Sequence, residues 1–189
     1  MNILQNSLEK IAEKQSGDFT YSEGTWFNGN GYLPLYNYTI KIKSEAVSIE
    51  VRYEHKANEF SKATGLDIGA HVDRHTCSIT SRLENASQLH GFIIRHKSRL
   101  DNLFSSGLFR VKCKNARVKN VLFLDKDLKE LFLLSRESAN FKPYISGVQK
   151  GTDFIIEVHF AGKTLMPEIL DQFIYWLRGM NEKYPKQIL

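Results

Sequence analysis

Apolar side chains first recur at helical spacing. Ile3, Leu4, Leu8 and Ile11 form one stripe over residues 2–15, and Gly17 follows as a stop. The repeat then changes to alternation. Phe19, Tyr21, Thr25 and Phe27 alternate with polar neighbours, Asn28-Gly29-Asn30-Gly31 makes a turn, and Leu33 to Lys43 resumes extended with Tyr38, Ile40 and Ile42 on one face. Val47, Ile49, Val51 and Tyr53 oppose Ser48, Glu50, Arg52 and Glu54, the pattern of a strand with one buried and one wet face. Three strands joined by short connections predict an antiparallel meander.

From His55 to about Leu89 the periodicity weakens. This stretch is polar and holds Gly65 and Gly69; it predicts one extended segment from His71 to Arg82, with a long loop and a helical turn over 56–70. Long irregular loops in compact domains often carry function. Gly91 to Arg95 reads as a strand, Leu108 to Lys114 alternates cleanly, and Val118 to Leu124 predicts a further strand pairing nearby. Asp125 suits a helix N-cap, with Leu128, Leu131, Phe132 and Ser135 down one face of a helix reaching Ala139. Tyr144 to Gln149 and Asp153 to Phe160 predict a hairpin in which Phe154, Ile156, Val158 and Phe160 point inward. A final helix opens near Pro167 and Glu168, buries a stripe from Ile169 to Tyr184, and is predicted to end at Pro185. No internal repeat or linker interrupts 1–189, and the strands do not alternate regularly with helices, which argues against a doubly wound sheet. The expected fold class is α+β: one domain with a mostly antiparallel sheet packed by N-terminal and C-terminal helices.

Composition adds compartment and charge. The chain has 189 residues, 42% of them hydrophobic and 25% charged, values of a globular protein. The N-terminal residues from Met1 to Glu9 lack the basic flank and apolar stretch of a secretory signal, and no apolar run reaches the roughly 20 residues that span a bilayer. A cytoplasmic location is the expectation, with Cys77 and Cys113 as reduced thiols. The net charge is +5 and unevenly spread. Between Arg95 and Lys119 stand eight cations and one carboxylate, Asp101, a balance of +7 that leaves −2 for the rest of the chain. If Leu108 to Lys114 is a strand, Arg110, Lys112 and Lys114 share a face. Together with Arg95, Lys97 and Arg117 they form the candidate anion-binding set, suited to a polyanion or an acidic protein surface. The plainer reading is that lysines on an edge strand block sheet-to-sheet aggregation. No RNA-recognition signature, zinc finger or helix-turn-helix pattern accompanies these cations, and Phe92 and Phe109 fall on inward positions.

Candidate chemistry elsewhere is thin. His71, Asp73, His75 and Cys77 alternate on one face of the predicted strand, and His71, His75 and Cys77 are the candidate metal ligands. His71 and Cys77 would lie about 20 Å apart along a strand, so all four cannot meet one ion without a sharp bend. The competing reading is a polar strand face with a core cysteine. Asn28-Gly29-Asn30-Gly31 lacks the Gly-Lys-Ser/Thr and the following helix of a P-loop and reads as a hairpin turn. Ser105-Ser106-Gly107 does not fit a nucleophile elbow, and the pairs Asp125/Asp127 and Glu168/Asp171 sit where capping and helix dipoles explain them.

From Phe104 onward the order strand, helix, hairpin, long final helix resembles a group of uncharacterised bacterial α+β domains of unknown function. Phe141-Lys142-Pro143, Gly147, Phe154 to Val158 and Pro167-Glu168-Ile169-Leu170 carry the resemblance, over less than half of the chain. It implies a fold type and a bacterial source and brings no activity. Relatives of that kind often carry transmembrane helices, which this chain lacks. No complete catalytic or cofactor motif is present, so no cofactor is expected. The leading functional expectation is a non-enzymatic binding or regulatory module using the basic segment 95–119. The alternative is a metal-dependent enzyme with its site in 55–90. A third reading is a homo-oligomer or structural partner that uses an exposed sheet edge.

Overall fold

The computed structural model describes residues 3–29, 31–44, 47–57, 74–86, 89–97, 107–137, 142–162 and 167–188. In chain order they form α1 (Ile3–Lys14), β1 (Asp18–Phe27), β2 (Tyr32–Lys43), β3 (Val47–Lys56), β4 (Arg74–Leu83), β5 (Phe92–His96), β6 (Phe109–Cys113), α2 (Ala116–Leu124), α3 (Lys126–Glu137), β7 (Tyr144–Lys150), β8 (Asp153–Gly162) and α4 (Pro167–Ile188). All eight strands join one sheet in the order β1-β2-β3-β4-β8-β7-β5-β6, and every neighbouring pair is antiparallel. The chain is thus α+β, with the meander read from the sequence as β1 to β3 and β4 paired next to it. Among the described residues no helix is long and apolar enough to cross a membrane.

Alternation decides the two faces. One apolar row runs unbroken across the sheet through facing residues Phe19, Ile40, Val51, Ile79, Val158, Ile145, Ile94 and Val111. From Ile40 to Val111 all are buried, and Ile79, Val158, Ile145 and Ile94 are wholly so. Each such side chain contributes about 1.5–3 kcal/mol relative to exposure. A one-residue slip of any strand would put its apolar set into water, so this row fixes the register.

The helices supply the other half of the core. Leu4, Leu8, Ile11 and Ala12 of α1 are buried, as are Val118 and Leu122 of α2, Leu128, Leu131 and Phe132 of α3, and Ile169, Leu170, Phe173, Ile174, Trp176, Leu177 and Met180 of α4. Ile3, expected on the α1 stripe, is 85% exposed: it lies about 100° around the helix from buried Leu4, off the face formed by Leu4, Leu8, Ile11 and Ala12. α4 also makes a buried polar tie, Asn181 Nδ2 donating to Ser81 Oγ of β4 at 2.7 Å. At its start, Asp171 accepts from Lys14 Nζ (2.5 Å) and Gln15 Nε2 (2.9 Å), joining α1 to α4.

Two element assignments differ from the sequence reading. Residues 118–124 are helical and belong to α2. Asn115 Oδ1 accepts from the backbone N–H groups of Arg117 (2.9 Å) and Val118 (3.1 Å), which starts a helix where the apolar run alone suggests a strand. The last helix continues through Pro185 to Ile188, because a proline close to a helix end removes one hydrogen bond and leaves the remaining turn intact. The Asn28-Gly29 turn is a hairpin: Asn28 N–H donates to Gly31 O (3.1 Å), its Oδ1 accepts from Gly31 N–H (3.0 Å), and Gly29 has φ +98°. The expected loop 56–70 lies outside the described residues from 58 on.

Candidate functional site

The sheet face away from the core follows from the same alternation. One residue out of phase with the apolar row runs a polar row through Thr20, Thr39, Arg52, Ser78, His159, Tyr144, Arg95 and Arg110, one residue from each of the eight strands. At about 4.8 Å per strand it is roughly 33 Å long. Positions on this face are exposed or half-buried, apart from Leu33 and Asp153. Strand positions on it carry ten Lys or Arg residues against five carboxylates, a net +5, equal to the charge of the entire chain.

The pairing on this face is uneven. Glu50 binds Arg52 (3.1 Å) and Glu54 binds Lys56 (3.0 Å). Glu157 lies 3.4 Å from Lys150, and Asp153 grips Arg82, with Arg82 Nε donating to its Oδ2 at 2.7 Å. That hydrogen bond holds the Asp153 carboxyl below its ordinary range. These partners belong to β3, β4, β7 and β8. On β5 and β6, Arg95 faces Arg110 in register, and Ile93 faces Lys112. Like charges opposed across an antiparallel pair are destabilising. Arg95, Lys112 and Lys114 have no carboxylate partner among the described residues.

Two hollows mark the face. A shallow depression of about 770 Å³ lies along the polar row and is bordered by Thr39, Arg52, Glu54, Ser78, Lys142 and His159. A mostly apolar one of about 520 Å³ lies at the β5–β6–β7 margin, between Ile93 and Val148 and the stems of Lys112 and Lys114. Between the two stands Tyr144, 41% exposed, with His159 and Arg95 as its register partners on either side.

The sequence-derived anion set therefore divides. Arg95, Arg110 and Lys112 share the open face; Lys114 follows β6 directly and is exposed. Lys97 lies one residue past β5 and is half-buried, while Arg117 is exposed on the first turn of α2, off the sheet. Tyr144, His159 and Arg52 were not part of the set. Their membership depends on β7 lying between β8 and β5, an order that runs against the sequence.

The metal candidates fare differently. His71 lies outside the described residues. His75 and Cys77 both project from β4 toward the core side. Cys77 is buried, and burial pushes its thiol well above the usual range, away from the thiolate that a metal requires. His75 faces His55 of β3 in register, and their rings stack with centroids 4.4 Å apart. Tyr36 and Tyr53 flank the pair. The alternation Val51, Tyr53, His55 carries the signal for His55, since it continues the inward phase of β3. Among the described residues no group of three or more His, Cys, Asp or Glu side chains could hold a metal ion.

A serine–histidine contact absent from the sequence reading also exists. His96 Nε2 is 2.6 Å from Ser135 Oγ. Ser135 is buried, its hydroxyl donates to Phe132 O (2.9 Å), and neither hollow on the open face reaches it. The contact anchors α3 to β5 and does not present a nucleophile. Asp125 caps α3, accepting from Leu128 N–H at 2.7 Å, and Asp171 is engaged by α1, so these carboxylates serve the helices.

Fold and face together define the class: an α+β protein whose single antiparallel sheet is packed with helices on one side and displays a cationic polar row on the other. No protein-family model matches the chain, and no curated protein or solved structure matches it.

Proposed function

We propose that this protein is a non-enzymatic binding module that engages a polyanion on the open face of its sheet, with Arg95, Arg110, Lys112 and Lys114 as the main contacts. The observation that carries the reading is the register of β5 and β6. Arg95 opposes Arg110, Lys112 stands two residues on, and four of the five carboxylates of the face, Glu50, Glu54, Asp153 and Glu157, pair with cations on other strands. A bound polyanion brings countercharge to this cluster of cations and releases its own condensed counterions.

Aggregation control alone accounts for lysines on β6, the edge strand. It does not account for Arg95, which lies on the interior strand β5. The test is retention on immobilised heparin. The triple variant Arg110→Glu, Lys112→Glu, Lys114→Glu is expected to elute at or near the salt of the starting buffer, while the wild-type chain elutes later. All three positions are exposed, so the fold should survive, as circular dichroism will report. Equal retention of folded variant and wild type would overturn the proposal.

A further inference from the structure

The polyanion reading leaves open which anion. A purely electrostatic face needs no aromatic groups, yet the polar row sets Tyr144 in its cationic half. Its ring belongs to an open-face position of β7, is 41% exposed, and is flanked in register by Arg95 on β5 and His159 on β8. The exposure is not a consequence of a loose strand: Ile145, the next residue, is wholly buried, and so is its register partner Val158. The ring therefore stands on a fixed base, with a planar guanidinium on one side and an imidazole on the other.

Planar groups in a row on a rigid sheet, bordered by cations, match the chemistry of an unpaired nucleic-acid strand. Each base offers a π-face for stacking, and each phosphate offers a charge to the neighbouring arginines and lysines. Sulfated polysaccharides and acidic protein segments can satisfy the cations without a stacking platform. A duplex keeps its bases stacked inside and cannot use the rings. The hydroxyl-bearing half of the row, Thr20, Thr39 and Ser78, extends the same path with hydrogen-bonding groups beside the depression.

We infer that the open face binds single-stranded nucleic acid, with Tyr144 as the stacking platform, His159 and Arg95 as its planar neighbours, and Arg110, Lys112 and Lys114 holding the phosphates. This rests on the polyanion reading and adds the ligand class.

The experiment is fluorescence anisotropy with a short fluorescein-labelled oligothymidylate, run beside heparin retention on the same proteins. Wild type is expected to bind the oligonucleotide. Tyr144→Ala is expected to bind it at least about ten-fold more weakly, in line with the loss of one stacked base, and to keep its heparin retention. Tyr144→Phe keeps the ring and is expected to keep the affinity. The charge-reversal triple variant is expected to lose both ligands. Wild-type retention on heparin with no oligonucleotide binding would overturn this inference and leave the polyanion reading standing. Equal oligonucleotide affinity for folded Tyr144→Ala and wild type would also overturn it. Absence of both interactions in the wild type sinks both ideas.

Discussion

Gly147 shows how tightly a single position is specified. A Cβ built there would lie 2.5 Å from Phe92 Cε1 and 2.8 Å from Phe154 Cζ, two rings packed with centroids 6.1 Å apart in the core. Neither ring is a loose side-chain end, since Phe92 and Phe154 are both buried. Gly147→Ala is therefore expected to destabilise the fold by about 1–3 kcal/mol, the usual cost of forcing a methyl group into a packed core. Urea denaturation checks it, as a lower midpoint at unchanged slope. His96 sets a pH dependence. Burial, and then the charge of Lys142, lower its pKa from the ordinary value. The unfolded chain takes up a proton near that ordinary value, while the folded chain resists it. The stability is thus complete above that value and falls as pH drops below it. Asp153 acts in the same sense at lower pH. Its folded pKa is depressed by Arg82, so its contribution is present above the unfolded carboxylate value and is lost as the group protonates. The urea midpoint is expected to fall between about pH 7 and pH 5, and the fall is expected to shrink in His96→Gln. An equal fall in the variant would remove His96 as the cause.

Elements differ in how much of them was written in the local sequence. Long alternating strands were legible because one face is buried along their whole length: Ile49, Val51 and Tyr53 in β3, and Phe154, Ile156 and Val158 in β8, are all core residues. The run from Val118 to Leu124 was not. Four consecutive apolar residues, from Val121 to Leu124, fit a strand as well as a helix, and periodicity cannot separate the two over so short a span. The deciding signal is Asn115, whose side chain satisfies two otherwise unpaired N–H groups of α2. Val118 and Leu122, four residues apart, are then the buried pair, and Phe123 and Leu124 are left exposed. Asn115→Ala is expected to cost about 1 kcal/mol, typical for an N-cap, and Asn115→Asp to cost less. A thermal melt that places Asn115→Ala level with the wild type would contradict the capping role. The candidate site divided along the same line. Arg110 and Lys112 sharing a face needed only the period of one strand. Tyr144, His159 and Arg52 joining them needed the strand order, in which β7 and β8 lie between β4 and β5, and no local pattern encodes which strands become neighbours.

At the scale of the whole molecule, the sheet turns a modest net charge into a directional one. Strand positions on the open face sum to +5, and so does the complete chain, so everything else in the protein cancels. A ligand approaching that face meets ten cations against five carboxylates. This asymmetry makes the salt dependence of binding a count of contacts. For a single strand, the logarithm of the affinity falls with the logarithm of salt concentration at a slope of about −0.7 per phosphate neutralised. Arg95, Arg110, Lys112 and Lys114 acting together give an expected slope of about −3 for oligothymidylate. Replacing Lys112 or Lys114 by Ala should each reduce its magnitude by about 0.7. Tyr144→Ala should lower the affinity at every salt concentration and leave the slope as it is, because stacking releases no counterions. Parallel lines for wild type and Tyr144→Ala, beside a shallower line for Lys112→Ala, would separate the two contributions in one series of titrations. A slope near zero for the wild type would mean that the cations of β5 and β6 make no phosphate contacts, whatever the affinity.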